Sequence, residues 1–263
     1  MRAMKWINVI LFSAMVIINM LANFIPLGGK TTGEISSGYP TLFTPAPYTF
    51  SIWGVIYILM AIFVIFQIGF IKNTTEVTSM SDKIGIFFAI SCILNIFWIF
   101  TWHYNYIGFS VITIALLLVN LIIINRLVDT MDVKSISGLL CNYGFQIYLG
   151  WITAATIANI SVFLVKNSWS RFGISDTAWT IIVLAVGALI GVGFVLKSNY
   201  IFSTLAIIWA YCGILIKHTS VNGYNGGYRS IITSLLVCIA VMALTIIIFA
   251  FIIRKEDQLI TSF

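Results

Sequence analysis

The sequence predicts an all-α integral membrane protein, a polytopic helical bundle of about eight transmembrane helices. Of its 263 residues, 60% are hydrophobic and only 8% are charged, whereas soluble domains carry about 25% charged residues. The chain also contains eight apolar stretches of about 17 to 25 residues, the length that an α-helix needs to cross a hydrocarbon core. Because lipid offers no partner to backbone polar groups, each stretch must satisfy its own hydrogen bonds as a helix.

The eight apolar stretches follow one another along the chain, and we assign one helix to each. Their approximate ranges are 4–27, 48–71, 83–102, 107–127, 139–165, 177–196, 200–216 and 230–253. The first stretch follows Arg2 and Lys5, as the apolar part of a secretory signal would. It ends at residues 25–27 without a small-x-small cleavage site, so we expect an uncleaved first helix.

The positive charges predict how the helices are oriented. With eight spans, nine of the Lys and Arg residues fall on one side of the membrane and five fall on the other. The first set is Arg2, Lys5, Lys72, Lys83, Arg126, Lys134, Lys197, Arg254 and Lys255; the second is Lys30, Lys166, Arg171, Lys217 and Arg229. The positive-inside rule then places both termini in the cytoplasm. We expect a bacterial cell membrane as the location and the lipid bilayer, not nucleic acid, as the partner of these charges.

The acidic residues restrict the class of transporter. All eight lie in predicted loops or at the tail, and no span has a charged residue or a His at its centre. Ion-driven transporters place titrating groups inside the membrane as relays. The sequence therefore argues against an ion-coupled pump.

Two spans carry aromatic rings and neutral amides at helical spacing, within about 100° around each helix. The sets are Phe50, Trp53, Tyr57, Met60, Val64 and Gln67 in the second span, and Phe88, Ser91, Asn95, Trp98 and Trp102 in the third. Aromatic walls with a few polar groups suit a flat apolar ligand. Helix packing and interfacial aromatic belts are the alternative interpretation.

The fifth span separates into two faces. Asn142, Gln146, Thr153 and Thr156 cluster on one face, and Tyr148, Trp151, Ala155 and Asn159 cluster on the other. Asn and Gln in membrane helices commonly hydrogen-bond across helices. We therefore interpret the first face as a contact surface for the last three helices.

Two long loops lie on the non-cytoplasmic side, at residues 28–47 and 217–229, and both are rich in the Gly and Pro that mark irregular backbone. His103 and His218 fall at span ends on the same side. Two imidazoles that met there would be able to ligate a haem iron. Isolated interfacial histidines are the default interpretation.

Three short motifs resemble those of the tryptophan-rich sensory protein and translocator family. Residues 45–57 read PAPYTFSIWGVIY, residues 94–98 read LNIFW and residues 148–159 read YLGWITAATIAN. The resemblance covers about residues 1–165 and implies a five-helix receptor for tetrapyrroles such as porphyrin or haem. It also implies a site that the first long loop caps and that the second, third and fifth helices line. The matched residues are Pro45, Trp53, Tyr57, Asn95, Trp98, Tyr148, Trp151, Thr156 and Asn159.

The chain departs from the family pattern in three places. Ile96 stands where many relatives have a further Trp, and Ile112 and Thr113 stand near the position of an acidic residue. These differences point to another ligand preference. Residues 161–166 read SVFLVK and lack the Tyr of the family's sterol pattern, so we do not expect this element to bind cholesterol.

The sequence therefore predicts a TspO-like five-helix domain at residues 1–165 and an additional three-helix unit at residues 166–263. We expect a receptor or carrier for a planar hydrophobic small molecule, porphyrin or haem among them, with no required cofactor, no metal site and no assigned catalytic residue. A facilitative permease for a small amphipathic metabolite is one alternative. A light-dependent porphyrin-degrading enzyme, with Trp98 or Trp151 beside the pigment, is another.

Small residues in the sixth span also indicate close helix contacts. Gly187, Gly191 and Gly193 allow two helices to approach, either within the chain or between two copies. A homodimer is therefore compatible with the sequence.

Overall fold

A computed structural model describes residues 2–25, 27–39, 41–69 and 75–260, with the side chains of residues 3–252 within these ranges. This part of the chain forms helices and turns and no strand, and eight of its helices are long and apolar enough to cross a membrane. The predicted fold class is therefore confirmed. Lys72 and the side chains of Arg2, Arg254 and Lys255, which belong to the predicted charge asymmetry, lie outside the described residues.

The helices are α1 (Arg2–Phe24), α2 (Thr32–Ser37), α3 (Ile52–Gln67), α4 (Thr75–His103), α5 (Ile107–Asp129), α6 (Ile136–Lys166), α7 (Asp176–Ser198), α8 (Ile201–Thr219) and α9 (Arg229–Ile260). All but α2 are candidate membrane spans. The short helix α2 lies in the first long loop, and the 3-10 turn Pro47–Ser51 leads from that loop into α3. The largest difference between a predicted and an observed helix boundary is at the start of α4. The helix includes polar residues from Thr75 onward, whereas the predicted span begins near residue 83.

Helix α6 has neighbours on three sides. It packs against α3, α5 and α8, whereas α4 packs against α1 and α5, and α7, α8 and α9 pack against one another. Buried apolar residues of all eight spanning helices form one continuous core. The division near residue 165 stays a prediction, but the last three helices share their core with the first five.

Polar side chains tie helices together inside the bundle. The side-chain amide of Asn8 on α1 donates to Gln67 on α3 at 3.1 Å. On α6, the carbonyl oxygen of Gln146 accepts from the hydroxyl of Ser203 at 2.7 Å, and its side-chain oxygen accepts from the backbone N–H of Phe202 at 3.3 Å. The predicted contact between the polar face of the fifth span and the last three helices is confirmed.

The glycines of α7 serve packing within the chain. A Cβ added at Gly187 would overlap the hydroxyl of Tyr211 on α8, and one added at Gly191 would lie 2.8 Å from the sulfur of Met242 on α9. Gly193 faces open space. A homodimer through this face stays a prediction.

Side chains also join the loops at the two ends of the bundle. At one end Lys83 donates to the hydroxyl of Thr130. At the other end the Lys166 ammonium donates to the carbonyl of Asn105 at 2.7 Å, and Tyr39 bonds the Asn105 side chain. The connections that were predicted to lie on different sides of the membrane thus lie at opposite ends of the bundle. Which end faces the cytoplasm stays a prediction.

Candidate functional site

The candidate site lies around Trp53, at the end of the bundle that carries the first long loop. The chain enters α3 through the turn Pro47–Ser51, where Pro47 occupies the first helical position and its fixed φ favours a helical start. Trp53 therefore sits in the first turn of α3. Trp98 on α4 and Trp151 on α6 face the same region of the core.

Trp53 is the centre of an aromatic cluster. Its ring centroid lies 5.5 Å from that of Tyr57, 6.0 Å from Trp98, 5.8 Å from Tyr148 and 6.2 Å from Trp151. These separations are those of attractive aromatic pairs. The structure thus brings five of the nine predicted site residues together, from three helices that are distant in sequence.

A cavity of about 30 Å³ lies beside this cluster. Four predicted residues line it: Pro45, Trp98, Trp151 and Asn159. The other lining residues come from the first loop, the turn before α3, α4, α6 and α8, and they are Ser36, Phe43, Phe50, Trp102, Ala154, Ala155, Ala158, Ala210 and Ile214. Trp53, Tyr57 and Tyr148 do not line the cavity, but Trp53 contacts two residues that do, Trp98 and Trp151.

Asn95 and Thr156 do not line this cavity. The Asn19 amide donates to the side-chain oxygen of Asn95 at 2.7 Å, and the Asn95 amide donates to the hydroxyl of Tyr148 at 3.1 Å. The Thr156 hydroxyl donates to the carbonyl of Ile152, one turn earlier in α6, at 2.7 Å. Asn95 therefore fixes α1, α4 and α6 relative to one another, and direct ligand contact by Asn95 or Thr156 stays a prediction.

The polar groups around the cavity include unused donors. Asn159 accepts a hydrogen bond from Ser110 at 2.8 Å, which joins α5 to α6. The indole N–H groups of Trp53, Trp98 and Trp151 are buried and donate to no acceptor in the described part of the chain. A buried donor without a partner costs about 1–3 kcal/mol. Three such donors in one cluster therefore provide hydrogen-bonding capacity for a ligand with acceptor atoms.

The first long loop covers the site through α2. The Trp102 indole donates to the carbonyl of Thr32 at 3.3 Å, and His103 lies 3.3 Å from the Thr32 hydroxyl. Thr31 and Glu34 form a capping box at the start of α2. The pKa of Glu34 is below its ordinary value, mainly because the carboxylate accepts a hydrogen bond from the backbone of Thr31 and, to a smaller extent, because it interacts with the Thr31 side chain.

The last loop, residues 217–229, holds the other half of the first loop. His218 donates through Nε2 to the carbonyl of Leu42 at 2.9 Å, and the Tyr224 hydroxyl donates to the carbonyl of Thr41 at 3.3 Å. The His218 and Tyr224 rings are 4.7 Å apart. Burial raises the pKa of Tyr224 further above its ordinary value.

The two histidines anchor different parts of the first loop, His103 at Thr32 and His218 at Leu42. Within the described residues, no group of three or more His, Cys, Asp or Glu side chains has a metal-binding arrangement. The cavity, at about 30 Å³, is much smaller than ligand pockets, which usually enclose about 300–1,000 Å³. A tetrapyrrole would need the loop or the helices to move apart.

The structure adds residues that the family motifs do not contain. Trp102 was part of the predicted stripe on the third span, and it lines the cavity. Phe43 comes from the loop, whereas Ala210 and Ile214 come from α8. Nothing in the sequence signals these α8 residues, because small and aliphatic residues occur throughout every span.

Comparison with known protein families gives a match over most of the chain. Residues 5–249 match the family model described as TSPO-like protein, so the match extends through the last three helices as well as the first five. No curated protein and no solved structure gives a significant match.

Proposed function

Because the chain belongs to the TSPO-like protein family, we propose that it is a membrane receptor or carrier for a planar hydrophobic ligand. A tetrapyrrole such as porphyrin or haem is the first candidate. The family indicates a membrane protein that binds or transports a ligand. The ligand class is inferred from the chemistry of the cavity.

One observation carries the proposal: the buried indoles of Trp53, Trp98 and Trp151 form one cluster, and their N–H groups have no acceptor among the described residues. Trp98 and Trp151 also line the cavity. Indole faces bury and stack against flat apolar rings. Their N–H groups donate to acceptors such as carbonyl or ring nitrogen atoms. A ligand that is flat, apolar and equipped with acceptors would use both properties.

The lack of charged residues in the described lining of the cavity restricts the class of ligand further. Among the described residues, the cavity lining contains no Lys, Arg, His, Asp or Glu. An ionised carboxylate buried there would have no cationic partner and would be strongly disfavoured. We therefore expect the macrocycle to enter the cavity while any propionate groups stay outside it.

Binding must begin with an opening step, because a cavity of about 30 Å³ holds no more than roughly two waters. The first loop is held at α2 by Trp102 of α4, and at residues 41 and 42 by His218 and Tyr224. If only a fraction of the protein is open, the apparent affinity falls by that fraction. The proposal therefore includes a closed resting state and a ligand-bound open state.

A light-dependent porphyrin-degrading enzyme is the second candidate, because Trp98 and Trp151 line the cavity directly. An indole in contact with a bound pigment is in position to react with it on illumination. Continuous illumination of the complex should then change the pigment's absorption spectrum in wild type and not in Trp151→Phe. An unchanged spectrum in wild type would remove this candidate.

The proposed function is tested by equilibrium titration of the detergent-purified protein with protoporphyrin, its dimethyl ester and haem. Quenching of Trp emission should saturate, and the ester should bind at least as tightly as the free acid. If none of the three gives saturable binding to the folded protein, the receptor proposal is wrong. Efflux of a small amphipathic metabolite from proteoliposomes that contain the protein without bound pigment would then favour the permease alternative.

A further inference from the structure

Helix α8 is seated unusually close to α6 and to the turn before α3. A Cβ added at Gly150 on α6 would overlap the carbonyl oxygen of Ser203 on α8. A Cβ added at Gly213 on α8 would overlap the side chain of Thr49 in the turn. Both glycines are required for the two backbones to approach this closely.

Hydrogen bonds fix α8 in the same position. The backbone N–H of Ala46 donates to the carbonyl of Gly213 at 3.1 Å, and the Trp209 indole donates to the carbonyl of Thr49 at 2.8 Å. Ala46 lies just before the turn that places Trp53, and Thr49 lies within that turn. Helix α8 is therefore attached to the elements that build the aromatic cluster.

The remaining helices of the three-helix unit support α8 from its other side. The Tyr211 hydroxyl donates to the carbonyl of Leu184 on α7 at 2.6 Å, and the Thr204 hydroxyl donates to the carbonyl of Gly191 on α7 at 2.8 Å. Helix α9 packs against both α7 and α8. The unit thus holds one helix against the candidate site.

Helix α8 also supplies part of the cavity wall. Ala210 and Ile214 line the cavity together with three small residues of α6, namely Ala154, Ala155 and Ala158. Alanine side chains leave a narrow, smooth space between two packed helices. The width of that space depends on what α8 presents at residues 210 and 214.

We propose that α8 is a specificity-determining wall of the ligand site, and that Ala210 and Ile214 set the thickness of the ligand that the site accepts. This inference rests on the proposed function and gives the last three helices a role in it. The ligand class is then a thin, planar ring system, because bulky groups above or below the ring would meet α8. Ala210 and Ile214 are expected to contact the ligand itself.

The inference is tested with the full-length protein and two neutral probes. Protoporphyrin dimethyl ester is thin, whereas tetraphenylporphyrin carries four phenyl rings turned out of the macrocycle plane. Ala210→Phe should weaken binding of the ester about tenfold or more. Ile214→Ala widens the site, so it should bind tetraphenylporphyrin about tenfold tighter than wild type does.

The matched control is Ala240→Phe, which introduces the same ring at an exposed position of α9. It should bind both probes as wild type does. The α8 inference is overturned, and the proposed function left standing, if wild type binds the ester saturably but Ala210→Phe does not weaken this binding and Ile214→Ala does not strengthen binding of tetraphenylporphyrin. If wild type binds none of the three porphyrins used to test the proposed function, both the α8 inference and the proposed function are overturned. If Ala210→Phe does not fold, the gain or its absence in Ile214→Ala decides the question.

Discussion

The side-chain amide of Asn95 donates a hydrogen bond to the hydroxyl of Tyr148 at 3.1 Å, between α4 and α6. The same Asn95 accepts a hydrogen bond from Asn19 of α1. Trp98 follows Asn95 by one turn of α4, and Trp151 follows Tyr148 by one turn of α6. The polar chain therefore sets the spacing of the helices that carry the two indoles of the cavity.

We expect Asn95→Ala to destabilise the fold, because it removes both interhelical hydrogen bonds. The free energy of unfolding should fall by roughly 1–3 kcal/mol, more than one membrane hydrogen bond contributes, since a buried group is also deleted. Thermal melting of the purified protein measures the loss. Asn142→Ala is the control, because Asn142 is only half-buried and its contact with Gln146 is long, at 3.4 Å. Equal melting temperatures for the two variants would contradict this role of Asn95.

The contact between α6 and α8 predicts a strong effect of one methyl group. In Gly150→Ala the new Cβ meets the Ser203 carbonyl, so α8 must shift away from α6. Overpacking of this kind typically costs about 1–3 kcal/mol. In Gly54→Ala the new Cβ meets nothing within 4 Å, and the variant should be neutral or slightly stabilised. Thermal unfolding that ranks the two variants in the opposite order would refute the close approach of the helices.

The first loop should respond to acid through Glu34. Its pKa is lower in the folded chain than the reference value of 4.5, so its contribution to loop stability is complete above that reference value. The contribution is lost as the pH falls through the folded pKa. Hydrogen exchange of residues 31–38, corrected for the intrinsic rate, should therefore lose protection as the pH falls below the reference value of 4.5 and through the lower folded pKa.

Glu34→Gln separates this effect from general acid denaturation. Glutamine also forms a capping box, but it does not titrate in this range. The variant should keep its loop protection at low pH, whereas Glu34→Ala should lack that protection already at neutral pH. Identical acid profiles for wild type and Glu34→Gln would assign the effect to another group.

We expect the hydrogen bond from Tyr224 to Thr41 to slow the opening of the site. Tyr224→Phe removes one neutral hydrogen bond, worth about 0.5–1.5 kcal/mol, and should raise the porphyrin association rate by roughly two- to tenfold. Stopped-flow mixing measures this rate. Tyr104→Phe is a suitable control, because Tyr104 is exposed at the same end of the bundle. A rate that does not differ between the two variants would place the opening step elsewhere.

Hydropathy alone predicts the eight spanning helices, because the cost of unpaired backbone in lipid leaves no other structure for these stretches. It does not predict where each helix ends. Helix α4 extends back to Thr75, whereas hydropathy predicts a start near residue 83. The prediction misses the first turns because they contain the polar residues Glu76, Ser79 and Asp82. Helical hydrogen bonds continue into water without an apolar sequence.

Motif spacing likewise predicts part of the site. Trp98 and Trp151 lie at the cavity because helical periodicity places each on an inward face, and their contact with a ligand stays a prediction. The wall formed by Ala210 and Ile214 is not predictable in this way. It depends on which helix packs against α6, and that choice is made by close contacts such as Gly150 with Ser203.

The central claim, that the ligand binds between the indoles of the cavity, is tested most directly by porphyrin titration of Trp151→Ala and Trp179→Ala. Trp151 lines the cavity, whereas Trp179 packs against Trp169 in a separate aromatic group, with ring centroids 4.7 Å apart. Each variant loses one indole, and the porphyrin absorption band reports binding without relying on Trp emission. We predict that Trp151→Ala binds about tenfold more weakly or worse, while Trp179→Ala binds as wild type does. Wild-type affinity in Trp151→Ala, or an equal loss in both variants, would contradict the account.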